Sequence, residues 1–311
     1  MERADWVVTE KIHGAHFVIL TNGLQVRFAK RGAILNEDDV FFGYQSIAGD
    51  LTRCALAAAN ILATKGYTTD CIAIHGELFG GSYPHVSVDA LPGVRHVQSG
   101  IWYCPHISYI AFDIATFSQG TRAWLPFGTM RDVLTAAGLK SAEPLFIGSR
   151  TGAIAHSPRF VTRIPALLGL PPLEGNLAEG IVIKPASGLE VEGYGRPLIK
   201  IKNKEFSEVD DDFQKADASG DQISALAPLL AHLTFNRFAA TRSKMGDNAD
   251  EAELAVAVLD DAICELCLDP GRAAWVAELT PEALGRAQVH IADQLPRWAV
   301  QATRAPQLLP P

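Results

Sequence analysis

The stretch TEKIHGAHFVILTNGLQVRFAK (residues 9–30) decides how the chain begins to fold. AHFVIL leads to Asn22-Gly23, a pair suited to the left-handed backbone of a tight turn. LQVRFAK returns, with Leu24, Val26 and Phe28 alternating with Gln25 and Arg27. Ahead of this hairpin, a strand-like run ends on Lys11, and His13-Gly14 marks the turn that follows. The chain therefore starts as antiparallel sheet. The chemistry of the junction stays open at this point. Lys11, with Glu10 and His13 beside it, is either a solvated turn lysine or a nucleophile.

Working outward, CIAIHGEL, ISYIAFDIAT, GIVIKPA and RPLIKIKNK read as further strands. Runs around SIAGDLTRCALAAANILATKG and TMRDVLTAAG carry apolar residues at helical spacing. Near Val209 the texture changes. An acidic stretch, VDDDFQKADASGDQ, leads into Ala- and Leu-rich segments. These are ISALAPLLAHLTFNRFAATRSKMG, DEAELAVAVLDDAICELCL, WVAEL and PEALGRAQVHIADQLPRWAV, all of them helical in pattern. The expected class is α+β. Residues 1–208 form antiparallel sheets with interleaved helices, and residues 209–311 form an all-helical domain.

Of the 311 residues 48% are hydrophobic and 20% charged, as in a folded domain with ample core. No apolar run reaches the roughly 18 residues of a membrane helix, and MERADWVVTE has no signal-peptide pattern. Five scattered cysteines argue against a disulfide framework and for a reducing, cytoplasmic compartment. Cys264 and Cys267 read as ordinary helix residues, because no second ligand pair completes a zinc site. His75, His85, His96 and His106 are too irregularly spaced to suggest a metal set. The net charge is -8, but residues 1–208 hold 19 basic and 19 acidic side chains. Any nucleic acid would have to be met by a local basic groove rather than by bulk charge.

The strand ends supply an inventory. It comprises Lys11, Glu10 and His13; Lys30 and Arg31; Glu77; Phe112 and Asp113; Glu179 and Lys184; and Lys200, Lys202 and Lys204. In LIKIKNK the three lysines are two residues apart. They share one strand face, while Ile199 and Ile201 share the other. Such a face tolerates its own repulsion in open solvent or against phosphates. Nucleotidyl transfer needs these parts: a positioned nucleophile, cations on phosphate oxygens and a carboxylate for a divalent metal.

EKIHG, FAKRGAIL, HGELFGG, VQSGIWYCPHISYIAFDI, AEGIVIKP and LIKIKNKEFSE, in this order, resemble the motifs of the covalent nucleotidyltransferase superfamily of polynucleotide ligases and mRNA capping enzymes. Within it the chain resembles the phage-type RNA ligase 2 family, which includes the RNA-editing ligases. NRFAATRSKMG is similar to part of that family's helical C-terminal domain.

The resemblance implies an ATP-dependent ligase that joins 3′-OH and 5′-phosphate RNA ends, with nicks in duplex RNA as the expected substrate. Its implied cofactors are ATP and Mg²⁺ or Mn²⁺, and its implied partner is RNA, with no membrane. Lys11 is expected to carry AMP, with His13 near the leaving pyrophosphate or the RNA phosphate and Arg31 on the phosphate. Lys200 and Lys202 would meet the α-phosphate, and Glu179 would hold metal. Nucleotide contacts are expected from Glu10, Ile12, Gly14, Glu77 (ribose), Phe112 (adenine stacking) and Lys184. The Arg237–Lys244 segment is expected to serve domain docking or RNA contact. His16 departs from the pattern, since the family usually carries asparagine there, linked to the later steps. The short segment ahead of the lysine motif departs as well. Two other readings accompany this one. The first is a DNA-joining or guanylyltransferase-like enzyme on the same scaffold, and the second is a non-catalytic RNA-binding descendant.

Overall fold

Trp6–Lys11 forms β1, Ala15–Thr21 β2 and Val26–Lys30 β3 in a computed structural model that describes residues 5–31, 33–190, 196–206, 226–245, 249–267 and 270–304. The hairpin pairs Thr21 with Val26, so its loop has four residues, 22–25. The Asn22 side-chain oxygen accepts from the Leu24 and Gln25 amides at 3.0 and 2.8 Å, and Gly23 takes φ +86°. This local side-chain turn delays the return strand. Leu24, expected on the buried face, is therefore exposed, while Val26 and Phe28 pack on the core.

The remaining strands are β4 (Ala33–Ile34), β5 (Cys71–Ser82), β6 (Cys104–Ser118), β7 (Thr121–Trp124), β8 (Pro144–Gly148), β9 (Gly180–Pro185) and β10 (Ile199–Lys202). They build two antiparallel sheets, ordered β4-β3-β2-β5-β6-β7 and β10-β9-β1-β8. Helices α1 (Gln45–Thr64) and α2 (Phe127–Ala136) cover one face of the larger sheet. On α1, Leu51, Cys54, Ala55, Ala58 and Leu62 recur on one stripe. They pack with Met130, Val133 and Leu134 of α2 against Phe17, Ile19, Ile72, Ile74, Tyr109 and Ile114. Strand β8 and two short helices, α3 (Arg150–Ile154) and α4 (Ile164–Leu167), carry too few residues for a periodic sequence signal.

The chain divides into two compact units, 1–203 and 204–311. The expected domain boundary near 208 lies outside the described residues. In the second unit the described elements are all helical. A 3₁₀ turn, Lys204–Phe206, precedes α5 (Ala227–Leu230), α6 (Phe235–Met245), α7 (Glu251–Leu266), α8 (Pro270–Ala277) and α9 (Pro281–Arg304). Within the segment read as helical, one helix ends at Leu230 and the next follows Thr234, whose hydroxyl caps the Arg237 amide. Leu229, Phe238, Val258, Leu259, Ala287, Ile291 and Trp298 form this unit's core.

Arg237 is fully buried in the same unit. Its Nε donates to the His232 carbonyl at 2.7 Å, and its two terminal nitrogens pair with Asp261 and Glu265. The expected docking or RNA role is therefore corrected for Arg237: its guanidinium points inward and is consumed by two carboxylates of α7. Lys244 also pairs with Asp261, at 3.3 Å.

Candidate active site

Register in the four-stranded sheet decides which side chains meet. Lys11 lies opposite Gly180, Gly180 opposite Lys202, Val182 opposite Lys200, and Lys184 opposite Val7. Directly paired residues share a face. Lys11, Lys184, Lys200 and Lys202 therefore project from one face, while Val8, Ile181, Ile183, Ile199 and Ile201 pack together on the other. The alternation of Ile and Lys in β10 thus has a structural counterpart. The strand ends at Lys202, however, so Lys204 starts the 3₁₀ turn instead of extending the lysine face, and its side chain lies outside the described residues. At Gly180 the strands approach so closely that a Cβ would run into the Ile201 carbonyl.

Glu179, one residue before that glycine, is 2% exposed and gathers cations around itself. Lys11 Nζ lies 2.5 Å from its Oε1 and Lys202 Nζ 3.6 Å from the same oxygen, while His13 Nδ1 lies 3.5 Å from Oε2. Burial pushes the carboxyl toward its neutral form. Lys11, His13 and Lys202 outweigh that and hold it well below the usual carboxylate range. The backbone is fixed as well, with the Asn203 amide donating to the Glu179 carbonyl at 2.7 Å. His13 is oriented by its amide, which donates to the Tyr103 hydroxyl at 3.0 Å.

The larger sheet brings Glu77 and His16 to the same place, opposite one another on β5 and β2. Burial pushes Glu77 up to about 8. The nearby Glu179 charge adds to that, whereas Lys11, Lys200 and Arg31 oppose it. Lys200 is shifted below its ordinary value, by desolvation first and then by the Lys11 and Arg31 cations. Arg31, just past β3, joins the cluster through its field on Glu77, His16 and Lys200. Gly14 lies against β5, where a Cβ would strike the Leu78 carbonyl and press on Glu77 Cγ. That close approach places the turn after Lys11 directly on Glu77.

Phe112 sits at a β-bulge. His75 pairs with Asp113 and Gly76 with Ala111, which leaves Phe112 as the extra residue. A bulge re-aims the side chain and frees the backbone. The Phe112 ring stacks on His16 at 6.0 Å, and its carbonyl accepts from Lys184 Nζ at 2.6 Å. Lys184, 2% exposed, also pairs with Asp113 at 2.8 Å, and Arg196 pairs with Asp113 at 2.6 Å. Burial lowers Lys184 to about 8 against the pull of Asp113. Lys184 is thus engaged by protein and ties the small sheet to the bulge.

Glu10 and Lys11 are neighbours on a strand and point to opposite faces. The Glu10 carboxylate accepts from the Thr162 hydroxyl and from the Arg163 amide at 2.9 Å, and burial raises it to about 7. Its side chain is therefore separated from the Lys11 cluster, and only its backbone lies at the junction. Ile12 is 6% exposed beside that junction. Sequence reasoning assigned no role to Tyr103, Asn203, Asp113, Arg196 or His75. Tyr103 and Asp113 lie in the stretch already singled out around Phe112, but nothing in spacing alone shows what they touch.

The arrangement is a cluster of lysine, histidine and carboxylate side chains centred on Lys11 and Glu179. Residues 4–202 match the RNA ligase family, and the chain belongs to that family. It is 32% identical over 232 residues to the mitochondrial RNA-editing ligase 2 of Trypanosoma brucei brucei, covering 67% of this chain and 56% of that protein. It is 32% identical over 209 residues to the mitochondrial RNA-editing ligase 1 of the same organism, covering 58% and 44%. The chain thus spans about half the length of these curated relatives. Among solved structures it is similar to a Naegleria gruberi RNA ligase with PPi, at TM-score 0.42 and 12% identity over 65% of this chain and 50% of that one. A mutant of that ligase with ATP and Mn gives TM-score 0.43 and 12% identity over the same shares.

Proposed function

We propose that the chain is an ATP-dependent RNA ligase that joins 3′-OH and 5′-phosphate ends, with nicks in duplex RNA as its substrate. The observation that carries this reading is the Lys11–Glu179 pair at 2.5 Å, set between Lys202 and His13. A neutral Lys11 amine attacks the α-phosphorus of ATP. An N–P bond forms, the bridging P–O bond breaks, and pyrophosphate leaves. An oxygen of the RNA 5′-phosphate next takes the AMP from Lys11. The 3′-hydroxyl then attacks that 5′-phosphate and AMP departs. Each step is a displacement at phosphorus, so positioning and charge neutralisation dominate.

Lys200 and Lys202 meet the α-phosphate oxygens, Arg31 the neighbouring phosphate and His13 the departing or incoming one. Glu77 holds a ribose hydroxyl; raised to about 8, it can donate as well as accept. Phe112 stacks on adenine, and backbone groups of Glu10, Ile12 and Gly14 edge the base. Lys184 acts through Phe112 and Asp113. Among the described residues no three His, Cys, Asp or Glu side chains form a ready metal cage. The buried carboxylate of Glu179 fits Mg²⁺ or Mn²⁺ all the same, since such ions take one or two carboxylates and complete their shell with phosphate and water. When bound, the metal would neutralise charge on the phosphates. The helical second unit is read as a domain that supports RNA engagement. The unpaired cysteines favour a cytoplasmic setting, and no described helix is long and apolar enough to cross a membrane.

The test is incubation with α-labelled ATP and a divalent metal. Label should stay on the denatured protein and be lost with Lys11→Ala. Label retained by Lys11→Ala, or taken from GTP and not from ATP, sinks the reading. Nicked RNA and nicked DNA duplexes offered side by side test the substrate, and preference for DNA overturns that part.

A further inference from the structure

Four rings form a file on the cleft side of the larger sheet. Phe112 and His16 stack at 6.0 Å, His16 and His75 at 5.5 Å and 14°, and His75 and Trp124 meet at 5.1 Å. The two imidazoles are also hydrogen-bonded, His75 Nδ1 to His16 Nε2, at 3.3 Å. The far end of the file is held rigidly. Arg122 and Arg196 lie over Trp124 at 5.3 and 5.1 Å, and its indole donates to Glu190 at 2.7 Å. The near end, Phe112 and His16, lies beside Glu77.

A single hydrogen bridges the two rings. When both are neutral, the two remaining nitrogens, His16 Nδ1 and His75 Nε2, are always one acceptor and one donor. Burial comes first in keeping them neutral: burial, then Arg31 and Lys200, lower His16 to about 4, and burial, then His16, with Arg122 and Arg196, lower His75 to about 4 against the pull of Asp113.

We infer that His16 and His75 form a neutral two-imidazole proton relay for the hydroxyl that attacks phosphorus in the sealing step. This rests on the ligase reading above. As the hydroxyl oxygen bonds to phosphorus and AMP leaves, the hydroxyl proton passes to His16 Nδ1. The bridging proton moves from His16 Nε2 to His75 Nδ1, and the proton on His75 Nε2 goes to water. Both rings end neutral with their tautomers exchanged, and water resets them.

The experiment separates the steps. Lys11 labelling from ATP is measured first, and sealing of RNA carrying a ready-made 5′-adenylate is measured second. His75→Asn and His75→Gln can keep a hydrogen bond to His16 but cannot relay a proton. Both should label Lys11 within about twofold of the parent chain and seal about tenfold or more slowly. The parent's sealing rate should also bend with deuterium content as a multi-proton transfer does, and the variants' should not. Sealing within twofold, or an unchanged deuterium dependence, overturns the relay. A parent chain that fails to label Lys11 overturns the ligase reading instead. Unchanged thermal unfolding of the variants shows that the loss is not one of fold.

Discussion

At the scale of single residues, two buried glutamates, Glu10 on β1 and Glu179 just ahead of β9, carry opposite perturbations. Glu179 is held ionised by Lys11, His13 and Lys202 against its burial, whereas burial raises Glu10, facing the other way, to about 7 over its hydrogen bonds to Thr162 and Arg163 and the Arg163 charge. The fold therefore favours protonated Glu10. Its contribution to stability is fully present below the ordinary value of 4.5 and is lost as pH rises through about 7. The loss is roughly 3 kcal/mol. Glu10→Gln, whose amide can donate to Thr162 and accept from Arg163, should flatten the decline between those pH values in urea midpoints. A decline that persists unchanged assigns it to another group. The identities of Lys11, Glu77 and Glu179 were legible as candidates in the sequence. That Glu10 turns away follows from strand alternation, but its partners Thr162 and Arg163 lie some 150 positions along the chain.

At the scale of elements, the hairpin, the main strands and the two long helices of the first unit were readable, because alternation and helical spacing are local properties. The four-residue loop at Asn22 and the bulge at Phe112 were not, because each depends on which amide or strand a residue meets. The same holds for α6. Arg237 looked like a surface cation in sequence, but it is the strut between α6 and α7. Removing it takes the guanidinium from both carboxylates and leaves Asp261 with Lys244. Only the guanidinium side of these pairs is buried, so the cost falls below the roughly 3–5 kcal/mol of a fully buried pair. Arg237→Met should therefore speed amide hydrogen exchange across Phe235–Met245 and Glu251–Leu266. Adding Asp261→Asn and Glu265→Gln should restore part of the protection, and no change in exchange contradicts the strut.

At the scale of the whole molecule, charge decides how the RNA of the proposed function would be held. Residues 1–208 balance 19 basic against 19 acidic side chains, and the acid excess lies beyond them. Binding must then rest on a few local contacts rather than a broad basic face. The dependence of log affinity on log salt should be shallow, with a slope of about -2 to -4, given nearly one unit per neutralised phosphate. Lys200→Met should reduce it by roughly one, as read by titrating labelled nicked RNA duplex at several salt concentrations. A slope near -8 would falsify this picture.

The sequence by itself determined the alternation of strands, the spacing of the helices, and the order of the motifs that place the chain in its family. These depend on neighbours a few residues apart, and composition and periodicity report them directly. Only the tertiary structure decided which charges are spent and which stand available. It committed Lys184 to Asp113, turned Arg237 inward, and joined His16 to His75. Those outcomes depend on register between distant strands and on burial, where a one-residue shift exchanges one face for the other.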